Sequence, residues 1–182
     1  MNMKKIILLF FIAIAAKFAA AQYKPLDKGS DIKFKVKNFG FNVSGSFSGL
    51  QGMIQFDPDN LSTASFDISL DANSVNTDNN MRDNHLREDS YFDVKNYPLI
   101  HFVSTKITPS NKKGILFIFG KLTIKKETRE ISFPFTATPS DEGYLFKGGF
   151  RINRRNFGVG GSSTISDNVE LFLSVLTKNN RK

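Results

Sequence analysis

The densest run of residues that could do chemistry lies between Asn79 and Pro98, where Arg82, Asp83, His85, Arg87, Glu88 and Asp89 crowd together. A general acid or base needs a partner and a cleft, and His85 with Asp89 has the i,i+4 spacing that puts two side chains on one helix face. Ion pairs and a helix cap explain the same residues without catalysis. The second candidate is Asn153-Arg154-Arg155-Asn156. A guanidinium fork matches phosphate oxygens, so Arg154 or Arg155 at the lip of a pocket would suit a diphosphate. Either could equally pair with Asp83, Glu88 or Asp89 and fasten the charged run to the fold. His101 alternates with Phe102 and reads as outward polar surface. Two separate histidines without a cysteine make no zinc site. No nucleophile elbow, phosphate loop or dinucleotide fingerprint appears. No catalytic residue or metal ligand is assigned, and Arg82, His85, Arg154 and Arg155 stand as candidate contacts for the polar head of a ligand.

These groups need elements to hold them. The charged run is the one place where the chain abandons alternation, and its apolar residues Met81, Leu86, Tyr91, Phe92 and Val94 predict one short helix, capped by Thr77 or Asp78. Such a helix is marginal alone. It must dock through Leu86 and the Tyr91-Phe92 pair, as a plug or lid.

Elsewhere apolar and polar residues swap at every second position, the period of half-buried strands. The alternation predicts a long, curved first strand from Asp31 through Phe47, then Met53–Asp57 and a third strand around Phe66–Leu70. After the helix come Leu99–Ile107, Ile115–Ile124, Ile131–Ala137, Tyr144–Ile152 and Val169–Val175. The start of Ile115–Ile124 is apolar on both faces, and the helix is a candidate to cover it. Eight strands with short turns predict an all-β, eight-stranded antiparallel barrel with one short helix between strands 3 and 4, because closure removes exposed edges. A two-sheet sandwich is the alternative.

The inward parity collects Phe34, Val36, Phe47, Phe56, Phe66, Ile68, Leu70, Ile100, Phe102, Phe133, Phe135, Phe150, Leu171 and Leu173, with Leu86 and Phe92 added from the helical segment. Phenylalanine is heavily used, with 19 in the chain and no tryptophan. An eight-stranded barrel is either filled by side chains or holds one ligand. A packed aromatic core and an apolar tunnel, with Gly52, Gly120 and Gly148-Gly149 leaving space beside the rings, both fit this composition.

Residues 1–21 have the three parts of a secretory signal peptide: Lys4-Lys5, the apolar run Ile6–Ala16, and small residues at Ala19-Ala20-Ala21. Cleavage after Ala21 would leave residues 22–182 as one domain, periplasmic or secreted. Losing Lys4, Lys5 and Lys17 takes the formal charge from +8 to +5. That excess favours solubility and transient contact with anionic membrane surfaces, and does not mark a nucleic-acid binder. With no cysteine, the domain must hold together by its core alone.

Several motifs occur together and in order. Tyr23-Lys24-Pro25-Leu26-Asp27 with Ser30 is followed by Phe34-Lys35-Val36-Lys37 and Gly45-Ser46-Phe47. Then come Arg82-Asp83-Asn84-His85-Leu86, Tyr91-Phe92-Asp93-Val94, Gly120-Lys121-Leu122-Thr123-Ile124, Asn153-Arg154 and Phe157-Gly158. Over most of its length, from Tyr23 to about Thr177, the chain resembles the YceI-like, polyisoprenoid-binding family of bacterial exported proteins. The resemblance implies a lipocalin-like barrel around an elongated apolar lipid: a polyisoprenoid, an isoprenoid quinone or a prenyl diphosphate. No cofactor is implied beyond such a bound lipid or quinone. The chain departs from the family pattern at Tyr23, where tryptophan is usual, at Asn38, where histidine is common, and at Lys125-Lys126, where glycine often follows. Fatty-acid binding, an enzyme on an apolar substrate using His85, a filled barrel that binds partners on its outer face, and a homodimer are the other arrangements open to this sequence.

Overall fold

A computed structural model describes residues 21–162 and 164–180, so nearly all of the predicted signal peptide lies outside the described residues. The strands are β1 (Gln22–Asn38), β2 (Phe41–Gln55), β3 (Ser65–Asn76), β4 (Leu99–Pro109), β5 (Leu116–Ile124), β6 (Glu127–Pro139), β7 (Tyr144–Asn153) and β8 (Ile165–Asn179). They pair in sequence order, and β8 returns antiparallel to β1 to close the barrel. Closure follows from the alternation: every strand has one apolar face to bury, and no edge is left to expose. The predicted fold class is the observed one.

One boundary differs from the expectation. The predicted long first strand is two strands, joined at Phe39 (φ 49°) and Gly40 (φ 81°). Two consecutive positive φ angles make the tight hairpin turn whose twist suits paired strands. The turn is hard to see in the sequence because Phe39 stands where asparagine is usual, so the apolar alternation runs through it.

Ser30 repairs a kink in β1. Around Gly29 (φ 91°) the β1–β8 register shifts, and the Ser30 hydroxyl donates to Leu26 O at 2.5 Å and accepts from Leu176 N at 2.9 Å. A polar group displaced from the ladder is thereby satisfied. Such kinks let a sheet of 15- and 17-residue strands curl into a barrel.

The helix α1 (Asn80–Arg87) follows β3, and its cap is Asn79, whose side chain accepts from Arg82 N at 3.0 Å. The expected caps do other work. Asp78 turns the chain at φ 57°, and Thr77 binds Asp83, which is 4% exposed. One Asp83 oxygen accepts from both the Thr77 amide and the Thr77 hydroxyl, while Arg82 Nε donates to that hydroxyl at 2.7 Å. Arg87 reaches back to Asn73 O and Val75 O on β3. The helix therefore rides on β3 and does not cover β5, whose outward Phe119 stays exposed. Replacing Asp83 by alanine is expected to cost about 1–3 kcal/mol, because two buried donors lose their acceptor. A urea melt with an unshifted midpoint would contradict this.

Candidate functional site

The strand ends sort into two poles. At one, the chain enters at Tyr23 and the β2–β3, β4–β5 and β6–β7 connections gather. Here Tyr23, Ile54, Phe56, Phe66, Phe135 and Phe146 form a dry cluster. Phe56, 1% exposed, meets Tyr144 and Phe146 edge-on at centroid distances of 5.1 and 5.2 Å, and Phe66 at 6.4 Å. Edge-to-face contacts satisfy the ring quadrupoles, so this floor is sealed by specific packing. Burial pushes the phenols of Tyr23 and Tyr144 above the ordinary tyrosine value of 10.0, with Asp57 adding to both. The fold thus favours the neutral phenols, so stability should be fully present below that value and fall as pH rises through the raised pKa values. Alkaline melts that show no loss above the ordinary tyrosine value would contradict this.

Between this floor and the other pole lies one large cavity of about 970 Å³. Its walls are the inward parity of all eight strands. Fifteen of the sixteen residues expected to face it line it: Phe34, Val36, Phe47, Phe66, Ile68, Leu70, Leu86, Phe92, Ile100, Phe102, Phe133, Phe135, Phe150, Leu171 and Leu173. Phe56 does not. It follows the last residue of β2 on the same inward parity as Ile54 and packs into the floor below the cavity, and parity gives a side chain's direction but not its depth. Gly52 and Gly120 were expected to leave room, and neither does. A Cβ at Gly52 would stand 2.1 Å from Asp67 O, and one at Gly120 would stand 2.5 Å from the Phe102 ring. Gly148 does border the cavity.

Wall residues not singled out from the sequence include Val43, Ile118, Leu122, Ile124, Phe146 and Val169. Leu122, Ile124, Phe146 and Val169 lie two residues from another wall residue, and Val43 and Ile118 lie four from Phe47 and Leu122, so extending the same parity would have found them. Tyr91 and Val159 carry no such signal, because turns place them.

The mouth is framed by the β1–β2 turn, α1 with the segment after it, and the β7–β8 loop. Phe92 packs edge-on against Phe47 at 5.3 Å, closing part of the opening as the expected docking residue. Lys125 Nζ donates to Asp89 O at 2.8 Å and to Gly158 O at 3.2 Å, tying three segments together. This offsets the φ of 53° that Lys125 adopts, a conformation that favours glycine. Asn38 likewise has a defined partner, accepting from the Thr164 hydroxyl at 2.7 Å.

The four candidate head-group contacts separate. Arg82 and His85 lie at the mouth and border the cavity. Arg82 spends Nε and one terminal nitrogen on Thr77, leaving its other terminal nitrogen without a protein partner among the described residues. His85 holds Glu88 through Nδ1 at 3.0 Å, not Asp89 as the i,i+4 spacing implied, and lies edge-on to Tyr91 at 4.8 Å. Arg154 borders the cavity but is buried, donating to Val159 O, Gly161 O, Ile165 O, Ser166 O and Asp167. It is the rivet of the β7–β8 loop and does not pair with Asp83, Glu88 or Asp89. Arg155 is exposed and does not border the cavity. His101 faces outward, held by Asp67 at 2.7 Å.

A model of the YceI-like domain family matches residues 23–176, nearly the whole barrel. The chain belongs to the YceI-like family. Among its YceI-like relatives are UPF0312 proteins of Yersinia enterocolitica, 29% identical over 171 residues, and Yersinia pseudotuberculosis, 30% identical over 171 residues. Each alignment covers 88% of both chains. BcnA of Burkholderia cenocepacia has a similar crystal structure, with a TM-score of 0.78, 25% identity, and 83% and 98% of the two chains covered. A polyisoprenoid-binding domain from Saccharophagus degradans shares the fold at a TM-score of 0.71 and 14% identity, over 86% of this chain and 98% of that one.

Proposed function

We propose that this YceI-like barrel binds one elongated apolar lipid of the polyisoprenoid class in its cavity and carries or holds it in an exported compartment. The observation that carries this reading is the cavity itself: about 970 Å³ of space, sealed at one end by aromatic packing and open at the other. That volume is at the upper end of small-molecule pockets. The wall is apolar along its length and polar at the rim, which suits a long tail with one polar end. The name of the Saccharophagus degradans neighbour agrees with this ligand class. The predicted signal peptide supports the compartment.

Burying about ten methylenes at ~0.8 kcal/mol each would hold the tail against water by ~8 kcal/mol gross. A tail in a bilayer is already dry, so extraction relies on shape fit and on a head contact. Arg82 supplies the contact, since it borders the cavity at the mouth and one of its terminal nitrogens has no protein partner among the described residues. Titrating lipid-stripped protein with polyprenols, quinones and fatty acids tests the reading. Saturable uptake at one lipid per chain supports it, and no uptake of any of them rejects it. Arg82→Met should leave a polyprenol bound within about twofold and weaken a prenyl diphosphate about tenfold, the size of one charge-assisted bond. Equal losses for both would show that Arg82 acts only through Thr77 and the helix.

A further inference from the structure

The rim of the mouth carries a cost that the fold does not require. Phe39 holds a φ of 49°, a conformation that bulky side chains rarely adopt, although asparagine or glycine would fit the turn without strain. Its ring is also 73% exposed, and that of Phe41 across the turn is 77% exposed. Neither ring contacts another aromatic side chain among the described residues. Met81, on the first turn of α1, is 84% exposed and borders the same cavity. Strain and exposure together, at the lip of an apolar cavity, point to a partner outside the chain.

The charge around the turn says which partner. From Ile32 to Phe56 the hairpin contains Lys33, Lys35 and Lys37 and no acidic residue, although Lys33 pairs at 3.1 Å with Asp31, which immediately precedes this stretch. Lys35 faces Glu170 across the β1–β8 ladder, whereas Lys37 faces Asn42 and stands two residues from Phe39. Exposed rings at a tip with lysines behind them match the boundary layer of an anionic bilayer, where rings enter the acyl edge and ammonium groups meet phosphates.

We propose that the Phe39-Gly40-Phe41 tip, with Met81 across the mouth, inserts into the interface of an anionic phospholipid bilayer and seats the cavity opening on the membrane. Its purpose rests on the lipid-binding reading. A tail is dry in the bilayer and dry in the barrel, so the water between them is the obstacle to transfer, and seating the mouth removes that gap.

Co-sedimentation with vesicles of equimolar phosphatidylcholine and phosphatidylglycerol tests the proposal, using the chain from Gln22 onward, which contains all eight strands. The double variant Phe39→Asn with Phe41→Thr suits a turn and a strand and keeps the fold. It should bind vesicles at least about tenfold more weakly than the parent. Lys37→Glu should also weaken binding, and salt should weaken the parent. Phe119→Ser with Phe172→Ser, exposed on the barrel wall, should change nothing. The proposal is overturned if the tip variant sediments like the parent or if the wall variant loses as much. It is also overturned if the parent ignores vesicles and forms a dimer that the tip variant disperses, since the rim would then join two copies. Farnesol uptake in water is measured alongside and should be unaffected by the tip change. Its absence in the parent would reject the lipid-binding reading, while the vesicle result would still decide the membrane contact.

Discussion

Replacing Leu171 by tryptophan is expected to reduce prenyl-lipid affinity by about two orders of magnitude while leaving the barrel folded. Leu171 lies half-way along the cavity, paired with Phe34 on one side and Phe150 on the other, with Val175 toward the floor and Ile165 toward the mouth. A larger side chain there closes the channel below it. If about four methylenes can no longer be buried, ~3 kcal/mol is forfeited, which is roughly a hundredfold in affinity. Overpacking a filled core usually costs about 1–3 kcal/mol, but here the added atoms enter open space, so the melting temperature should barely move. A variant that binds as the parent does would place the lipid elsewhere. One that unfolds would mean that the walls touch and no channel exists.

Phe56→Ala is expected to have the opposite profile. Its ring meets Phe66, Tyr144 and Phe146 edge-on at the floor, and it borders no part of the cavity. Removing a buried phenylalanine from such packing costs about 3–5 kcal/mol. For a domain of this size that lowers the melting temperature by roughly 10 °C. Lipid affinity, measured well below the transition, should change far less than stability does. A small loss of stability with a large loss of binding would show that the floor belongs to the ligand site. The pair of variants therefore separates the wall, which provides space, from the floor, which provides cohesion.

The barrel was legible in the sequence because strand period and burial are the same signal here. Ile32, Phe34 and Val36 turn inward for the reason that Lys33, Lys35 and Lys37 turn out, and every residue that the same count assigned to the cavity except Phe56 lines it. Parity states which way a side chain points, and it does not state whether the facing wall is near enough to touch it. A packed core and a lined channel thus read alike, and the distance between opposite strands decides between them. Two other features were hidden for local reasons. The β1–β2 turn uses Phe39, an apolar residue in a left-handed conformation, so nothing interrupts the alternation. Arg154 and Arg82 look equivalent in sequence, yet Arg154 is enclosed by the carbonyls of a folded loop, whereas Arg82 borders the cavity with one terminal nitrogen unpartnered among the described residues. The cap at Asn79 was displaced by one or two residues because Asp78 and Thr77, equally good capping types, are committed to a turn and to buried Asp83.

Native mass spectrometry of the protein purified from a bacterial host, followed by organic extraction, tests lipid occupancy most directly. The cavity predicts a mass increment of one prenyl or acyl lipid per chain, released by solvent and identifiable in the extract. A bare chain that stays bare after incubation with quinones, polyprenols and fatty acids would contradict a lipid-holding barrel.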